Sequence, residues 1–387
     1  MHSYLDAFFS VILLEILREQ MKIDHIYWFA PYNLNCASTR YRGKYPLEYL
    51  ARKLGLSYHL IFPGYSPGNI YFFLTAYLSA LLYPKKNALI VIQKVCTNGL
   101  YAKALKLLVL CRPERTLFDM DDAEQYRQPT KTLHFFLRHC RRITAGSEAL
   151  RKYCLQFNPN VTLQTSPVPE HQWKKTQKND FLTIGWVGDF GQGKSLEETS
   201  LFSHKRSLFT LFFPQLKKVK FPVRLVLIGI KTDADIPVIQ AYFKDCPNVQ
   251  LHIPAELDWE QDDWVYPMIA EFDIGIAPML EHPFNKAKSA FKAKQYLSCG
   301  IPVIASDLGE HQRFIRHGLN GFLCRNGNDF KEALERIYDM GELQYMEISQ
   351  NALNSKSSFT LDSYCRSLLS PSGTSIKRKY KSISGTS

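Results

Sequence analysis

The chain predicts an α/β fold of two tandem domains with parallel sheets, and three observations carry that reading. Short apolar runs alternate with segments of helical pattern along most of the 387 residues, as parallel βα units do. A polar, charged stretch, Glu170–Asp180 (EHQWKKTQKND), divides two such series. The length suits two ordinary domains, and a hydrophobic fraction of 45% lets each bury a core.

In the first series, His25–Phe29, Ser57–Phe62, Ala88–Gln93, Arg115–Phe118 and Arg142–Ala145 read as strands. Helical patterns fall at Tyr45–Lys53, Ile70–Tyr83, Leu100–Cys111 and Lys131–Cys140, and at Ser147–Gln156, which a serine cap opens. Residues 31–43 read as a polar loop. The second series has strands at Phe181–Val187, Val223–Ile228, Val249–Ile253, Phe272–Pro278 and Ile301–Ala305. Its helices are expected at His204–Val219, Ile236–Lys244, Trp259–Ala270, within Lys286–Leu297, at Asp329–Tyr338 and at Thr360–Leu369. The resulting division is an N-terminal extension (1–20), a first domain (21–170), a linker (171–180), a second domain (181–345), a C-terminal helical segment (346–370) and a basic tail (371–387). The tail is rich in Ser, Gly and Lys and is expected to be disordered. Met21, followed at once by Lys22 and a strand-like run, is the expected beginning of the first domain.

The formal charge of +12 favours anionic partners such as nucleotide phosphates or an anionic membrane surface. A solvated basic surface is the plainer alternative. No nucleic-acid module is visible, so nucleic acid is not expected. Nine cysteines without regular spacing suggest free thiols in a reducing compartment. The run Ala7–Leu17 contains Glu15 and is too short to span a bilayer.

Several residue groups carry chemistry. After the strand ending at Pro278, the loop and helix that follow bear Lys288, Ser289 and Lys292, with Gln295 beyond. Lysines four apart share a helix face, where they repel unless an anion sits between them. A helix N-terminus with cations beside it suits a diphosphate. A solubilising helix face is the alternative. Gly188–Ser195 (GDFGQGKS) fits the phosphate-loop pattern, so Gly188 and Lys194 are phosphate-side candidates; an ATP or GTP phosphate loop and a bare surface turn both remain open. Asp119, Asp121 and Asp122 follow a strand, where ligands bind in open α/β sheets. Metal binding and loop capping are the alternatives there. Arg40 and Arg42 can grip a phosphate or carboxylate, or serve the backbone; Gln93 and Lys94 end a neighbouring strand.

The segments FDIGIAP…KSAFKAKQYLSCGIPVIAS, IGWVGDFGQGKSLEE and HGLNGFLC closely resemble the donor half of family-4-type (group 1) glycosyltransferases of the GT-B fold, the type that builds bacterial envelope polysaccharide or lipopolysaccharide. The S-x-R-Y-R at Ser38–Arg42 and the D-x-D-D at Asp119–Asp122 are similar to its acceptor half. The resemblance implies two Rossmann-like domains facing each other across a cleft. It implies a retaining, metal-independent transfer of sugar from a nucleotide-diphosphate sugar to a glycan or lipid-linked acceptor, with no cofactor. It places the donor on Gly188, Lys194, Lys288, Ser289, Lys292, Gln295 and Glu310, and the acceptor near Arg40, Arg42, Lys94 and Asp121. Asp119, Asp122 and Lys288 are the catalytic candidates. The family commonly has acids where this chain has Gln295 and Ala287. The implied place is the cytoplasm, peripheral on the inner face of the membrane. A non-catalytic GT-B partner, a phosphate-loop kinase or NTPase and a nucleotide-sugar epimerase are the other readings.

Overall fold

The computed structural model describes residues 12–16, 23–64, 66–82, 87–97, 99–127, 129–191, 193–230, 234–254, 259 and 264–370. The expected disordered tail and nearly all of the N-terminal extension lie outside them.

Two six-stranded parallel sheets form the two domains. The first orders its strands β2-β1-β3-β4-β5-β6: β1 His25–Phe29, β2 Ser57–Ile61, β3 Ala88–Gln93, β4 Thr116–Met120, β5 Arg142–Ala145 and β6 Val161–Leu163. The second runs β12-β11-β10-β7-β8-β9: β7 Thr183–Val187, β8 Val223–Ile228, β9 Val249–His252, β10 Ile274–Ala277, β11 Val303–Ser306 and β12 Gly321–Cys324. Continuous apolar runs make these strands because helices cover both faces of each sheet. Along β1, Ile26 and Trp28 enter one apolar layer while Tyr27 and Phe29 enter the other, the two-residue alternation of a strand.

Four helices lie on one side of the first sheet: Pro67–Leu82, Leu100–Cys111, Lys131–His139 and Glu148–Cys154. Helix Tyr45–Leu54 covers the other side together with Leu361–Leu369 from the far end of the chain. That last helix bears Leu361, Tyr364, Cys365, Leu368 and Leu369 on one stripe, so it needs an apolar partner. The first domain supplies one, and the chain therefore crosses back between domains.

Some elements differ from the sequence expectation. Within the expected loop 31–43, Thr39–Lys44 forms a wide helical turn leading directly into helix Tyr45–Leu54. Strand β6 is three residues long, too short for a pattern. Helix Glu342–Asn354 begins ahead of the expected helical segment 346–370 and was not expected as a separate element. The expected linker is a strap packed on the second domain. Lys175 Nζ lies 2.9 Å from Asp273 Oδ1, both side chains nearly fully buried. Asp273 also accepts from Asn179 N at 2.9 Å and Thr183 N at 2.7 Å. Removing one partner of such a pair leaves a buried charge uncompensated. Asp273→Ala is expected to lower stability by about 3–5 kcal/mol in urea denaturation, with loss of order in the strap seen as faster proteolysis within residues 171–180.

Candidate active-site cleft

Each sheet reverses its strand order once, between β1 and β3 in the first domain and between β7 and β10 in the second. Ligands bind outside the carboxyl ends of strands at such switch points. Here the two face each other, and a cleft of 590 Å³ opens between them. Its first-domain wall comprises Asn35, Ser38, Arg40, Tyr41, Lys94, Asp121, Asp122 and Arg127. Across from it stand Gly188, Asp189, His204, Lys288, Ser289, Lys292 and Gln295.

The second-domain wall is built around three nitrogens. Lys292 Nζ is 2.8 Å from His204 Nε2, and Lys288 Nζ is 3.4 Å from the same atom. Helix Phe291–Ser298 begins after Ala290, held at φ 52° with no side-chain cap, so its first turn opens toward this cluster. Gly188 has φ 155°, and a Cβ there would lie 2.5 Å from Lys292 Cε; glycine leaves the lysine room. Burial, reinforced by Lys288 and Lys292, holds His204 well below the ordinary imidazole range. Neutral His204 thus accepts from the lysines through Nε2. Burial lowers Lys288 to about 8 and, with Lys288 beside it, Lys292 to about 7. His311, bonded to Ser306 O at 2.9 Å, is lowered to about 4 by burial. A smaller cavity of 190 Å³ continues behind the cluster, against Trp186, Met279 and His311.

The opposite wall is acidic and braced by one lysine. Lys94 adopts φ 32°, unusual for a residue with a side chain. Its Nζ reaches Asp122 Oδ2 at 2.5 Å and Asp121 Oδ1 at 3.7 Å. Asp121 Oδ1 has no hydrogen-bond partner. Burial pushes Asp121 up to about 6 against the pull of Lys94. For Asp122 burial acts in the same sense, but Lys94 outweighs it and the pKa falls below the usual range. Among the described residues no three His, Cys, Asp or Glu side chains gather to hold a metal ion.

The cleft thus unites Gly188, Lys288, Ser289, Lys292, Gln295, Arg40, Lys94, Asp121 and Asp122, and four assignments need correction. Arg42 and Asp119 are fully buried and bonded to each other, so neither reaches an acceptor. Arg42 Nε donates to Asp119 Oδ2 at 2.8 Å and Nη1 to Gln164 O at 2.8 Å, and Thr144 Oγ1 donates to Asp119 Oδ1 at 2.6 Å. Lys194 is exposed and lies outside the cleft lining. The turn around it is not a phosphate loop. Gly193 N donates to Asp235 and Ser195 N to Glu198, and no helix starts before His204. Lys205, buried beneath this turn, pairs with Asp235 at 2.6 Å and donates to Lys194 O. Glu310 does not line the cleft but sits at the domain contact, where its Oε1 accepts from Glu148 N at 2.9 Å.

Sequence reasoning missed His204, Tyr41, Arg127 and Lys294. Tyr41 packs edge-on to Phe291 at 4.3 Å, and Gln295 Nε2 donates to its hydroxyl at 3.3 Å. Lys294 is fully buried and crosses the domain contact to Thr165 Oγ1 and Ser166 O. A histidine or lysine opening a helix carries no signal of what it will face, so only His204's position after the glycine-rich loop hinted at its role.

Because the folded lysines sit below their ordinary value, the unfolded chain binds more protons between about pH 7 and 10. Stability therefore rises with pH across that window, and the cationic cluster is most costly at its acidic end. Lys292→Met is expected to raise the melting temperature at pH 6 by a few degrees, a gain that shrinks toward pH 10, in calorimetric scans across pH.

Residues 204–340 match the family model described as glycosyl transferases group 1. No sequence among the curated proteins matches the chain. Among solved structures, sucrose-phosphate synthase from Thermosynechococcus elongatus superposes with a TM-score of 0.64 at 15% identity, covering 89% of this chain and 97% of that one. HepE from Anabaena gives 0.57 at 14%, covering 89% and 98%. A glycosyltransferase from Rickettsia africae gives 0.59 at 12%, covering 90% and 97%. At these identities the superpositions speak for the fold, and the family match speaks for the second domain. The chain has the GT-B fold, and most of its second domain is similar to the group 1 glycosyltransferase family model.

Proposed function

We propose that this protein transfers a sugar, with retention and without a metal ion, from a nucleotide-diphosphate sugar to a glycan or lipid-linked acceptor at the cytoplasmic face of a membrane. The observation that carries the reading is the cluster of Lys288, Lys292 and His204, which lines the cleft with no carboxylate bonded to it among the described residues. Half-buried cations so arranged suit a diphosphate, which restores their full charge on binding. Support for the donor class comes from relatives of the fold. HepE was crystallised with UDP, with UDP and glucose, and with UDP-glucose. TarM was crystallised with Fondaparinux, alpha-GlcNAc-glycerol and UDP.

On this reading the lysines stabilise the negative charge that grows on the departing diphosphate. Gln295 faces the ribose through an amide where relatives commonly have an acid. Asp121, which lines the cleft and whose buried Oδ1 lacks a hydrogen-bond partner among the described residues, orients the acceptor hydroxyl, and the leaving phosphate takes its proton on the same face. Metal independence is supported by how the nearby carboxylates are already used: Arg42 neutralises Asp119 and Lys94 neutralises Asp122.

Calorimetric titration with UDP in EDTA tests the donor site. Binding is expected for the wild type and should weaken roughly ten- to a hundredfold in Lys288→Ala. Wild-type affinity should also fall as pH rises through 7–8, where the empty site's lysines lose their protons. If no nucleoside diphosphate binds, the donor assignment fails and a non-catalytic GT-B partner becomes the better account. Asp121→Asn separates binding from transfer. UDP affinity should hold while sugar transfer drops by about a hundredfold, measured with the donor that the titration identifies.

A further inference from the structure

Among the described residues, the most apolar long helix is also among the most exposed. Helix Pro67–Leu82 contains no charged residue and is hydrophobic all round. Its inner side, with Ala76, Tyr77 and Ala80, packs on the first sheet. On the opposite side Ile70, Tyr71, Leu74, Leu78 and Leu82 stand exposed, Tyr71 to 71%. The spacing 71, 74, 78, 82 is one helix face. The neighbouring helix Leu100–Cys111 continues the surface: Tyr77 OH donates to Ala104 O at 2.9 Å, and Leu100, Leu107 and Leu110 are exposed. Two adjacent helices thus present one contiguous apolar strip, larger than scattered surface residues explain.

Charge identifies what covers the strip. Between Glu48 and Glu114 the sequence holds Lys and Arg but no carboxylate side chain, and the same is true from Gln125 to Ser147. Lys103 stands exposed among the leucines of the second helix, and Lys131 and Arg138 are exposed on the next one. A second copy of the chain would bring like charges together across a two-fold axis. An anionic bilayer meets both demands, because apolar and aromatic side chains enter the acyl boundary while lysines reach phosphate headgroups. Among the described residues no helix is long and apolar enough to cross a membrane, so the mode is interfacial. We propose that the outer faces of helices Pro67–Leu82 and Leu100–Cys111 dock this protein on an anionic lipid surface.

The strip also lies well for the cleft. Its helices follow β2 and β3, so their first turns, with Ile70, Tyr71 and Leu100, stand at the strand ends where the cleft opens. A headgroup acceptor in the docked leaflet would be presented to Lys94 and Asp121. That link to the acceptor rests on the transferase reading; the surface itself does not.

The test is co-sedimentation of the full chain with vesicles of phosphatidylcholine alone and of phosphatidylcholine and phosphatidylglycerol in equal amounts. The wild type should sediment with the anionic vesicles, less so in high salt. Leu74→Glu combined with Leu78→Glu should weaken that partition at least about tenfold, and Lys103→Glu should weaken it less. UDP titration of each variant should match the wild type and shows that it is folded. Should the glutamate pair fail to fold, Tyr71→Ser with Leu107→Ser carries the test. Equal sedimentation of variant and wild type, or none of the wild type with anionic vesicles, would overturn the proposal. So would light scattering that finds a wild-type dimer which the glutamate pair dissolves, since that assigns the strip to a second copy. Vesicle binding without UDP binding would leave the docking surface intact and remove the transferase reading.

Discussion

The buried pair of Arg42 and Asp119 holds the first-domain side of the cleft together. Both side chains are fully buried, and so large a desolvation cost is tolerated only where every donor and acceptor is used. Arg42 joins Asp119, the carbonyl of Gln164 and the hydroxyl of Ser166, while its own carbonyl accepts from Tyr364. One guanidinium thereby ties the turn after β1, the end of β4, the segment after β6 and the C-terminal helix. Its sequence neighbours Arg40 and Tyr41 are fixed at the cleft as a result, and Asp121 and Asp122 follow two and three residues past its partner.

The two walls of the cleft are electrostatically unlike. On the first domain Lys94 and Arg127 each have an acid close by. Opposite it, Lys288 and Lys292 converge on a histidine instead of a carboxylate, and burial strips them of part of their charge. Such a cluster works against the stability of the empty fold. It persists because the surrounding packing of Trp186, Phe291 and Tyr296 is strong enough to hold it, a common cost of functional sites.

Domain contact is part of the site and not merely its frame. Lys294, Glu310 and Ser147 each reach across to the other domain, and Tyr41 meets Phe291 and Gln295 in the cleft itself. The last helix adds a covalent tether by returning to the first domain.

Much of this architecture was legible in the sequence. Apolar runs such as ALIVIQ and VRLVLI declare buried parallel strands, and the alternation with helices declares the sheet type, because these depend on local pattern. The lysines at 288 and 292 and the glycine at 188 were legible for the same reason: their spacing and backbone freedom are local properties. Arginines 40 and 42 were not separable, since they are two apart in one turn and only packing sends one into the cleft and the other into the core. Lys194 matched a motif whose N–H groups the fold had already given to Asp235 and Glu198. By itself the sequence determined the elements, the two domains and the residue types available for an anion. The tertiary structure alone decided which charges neutralise each other in the interior and which are left facing the cleft, because that choice rests on distances between segments far apart in the chain.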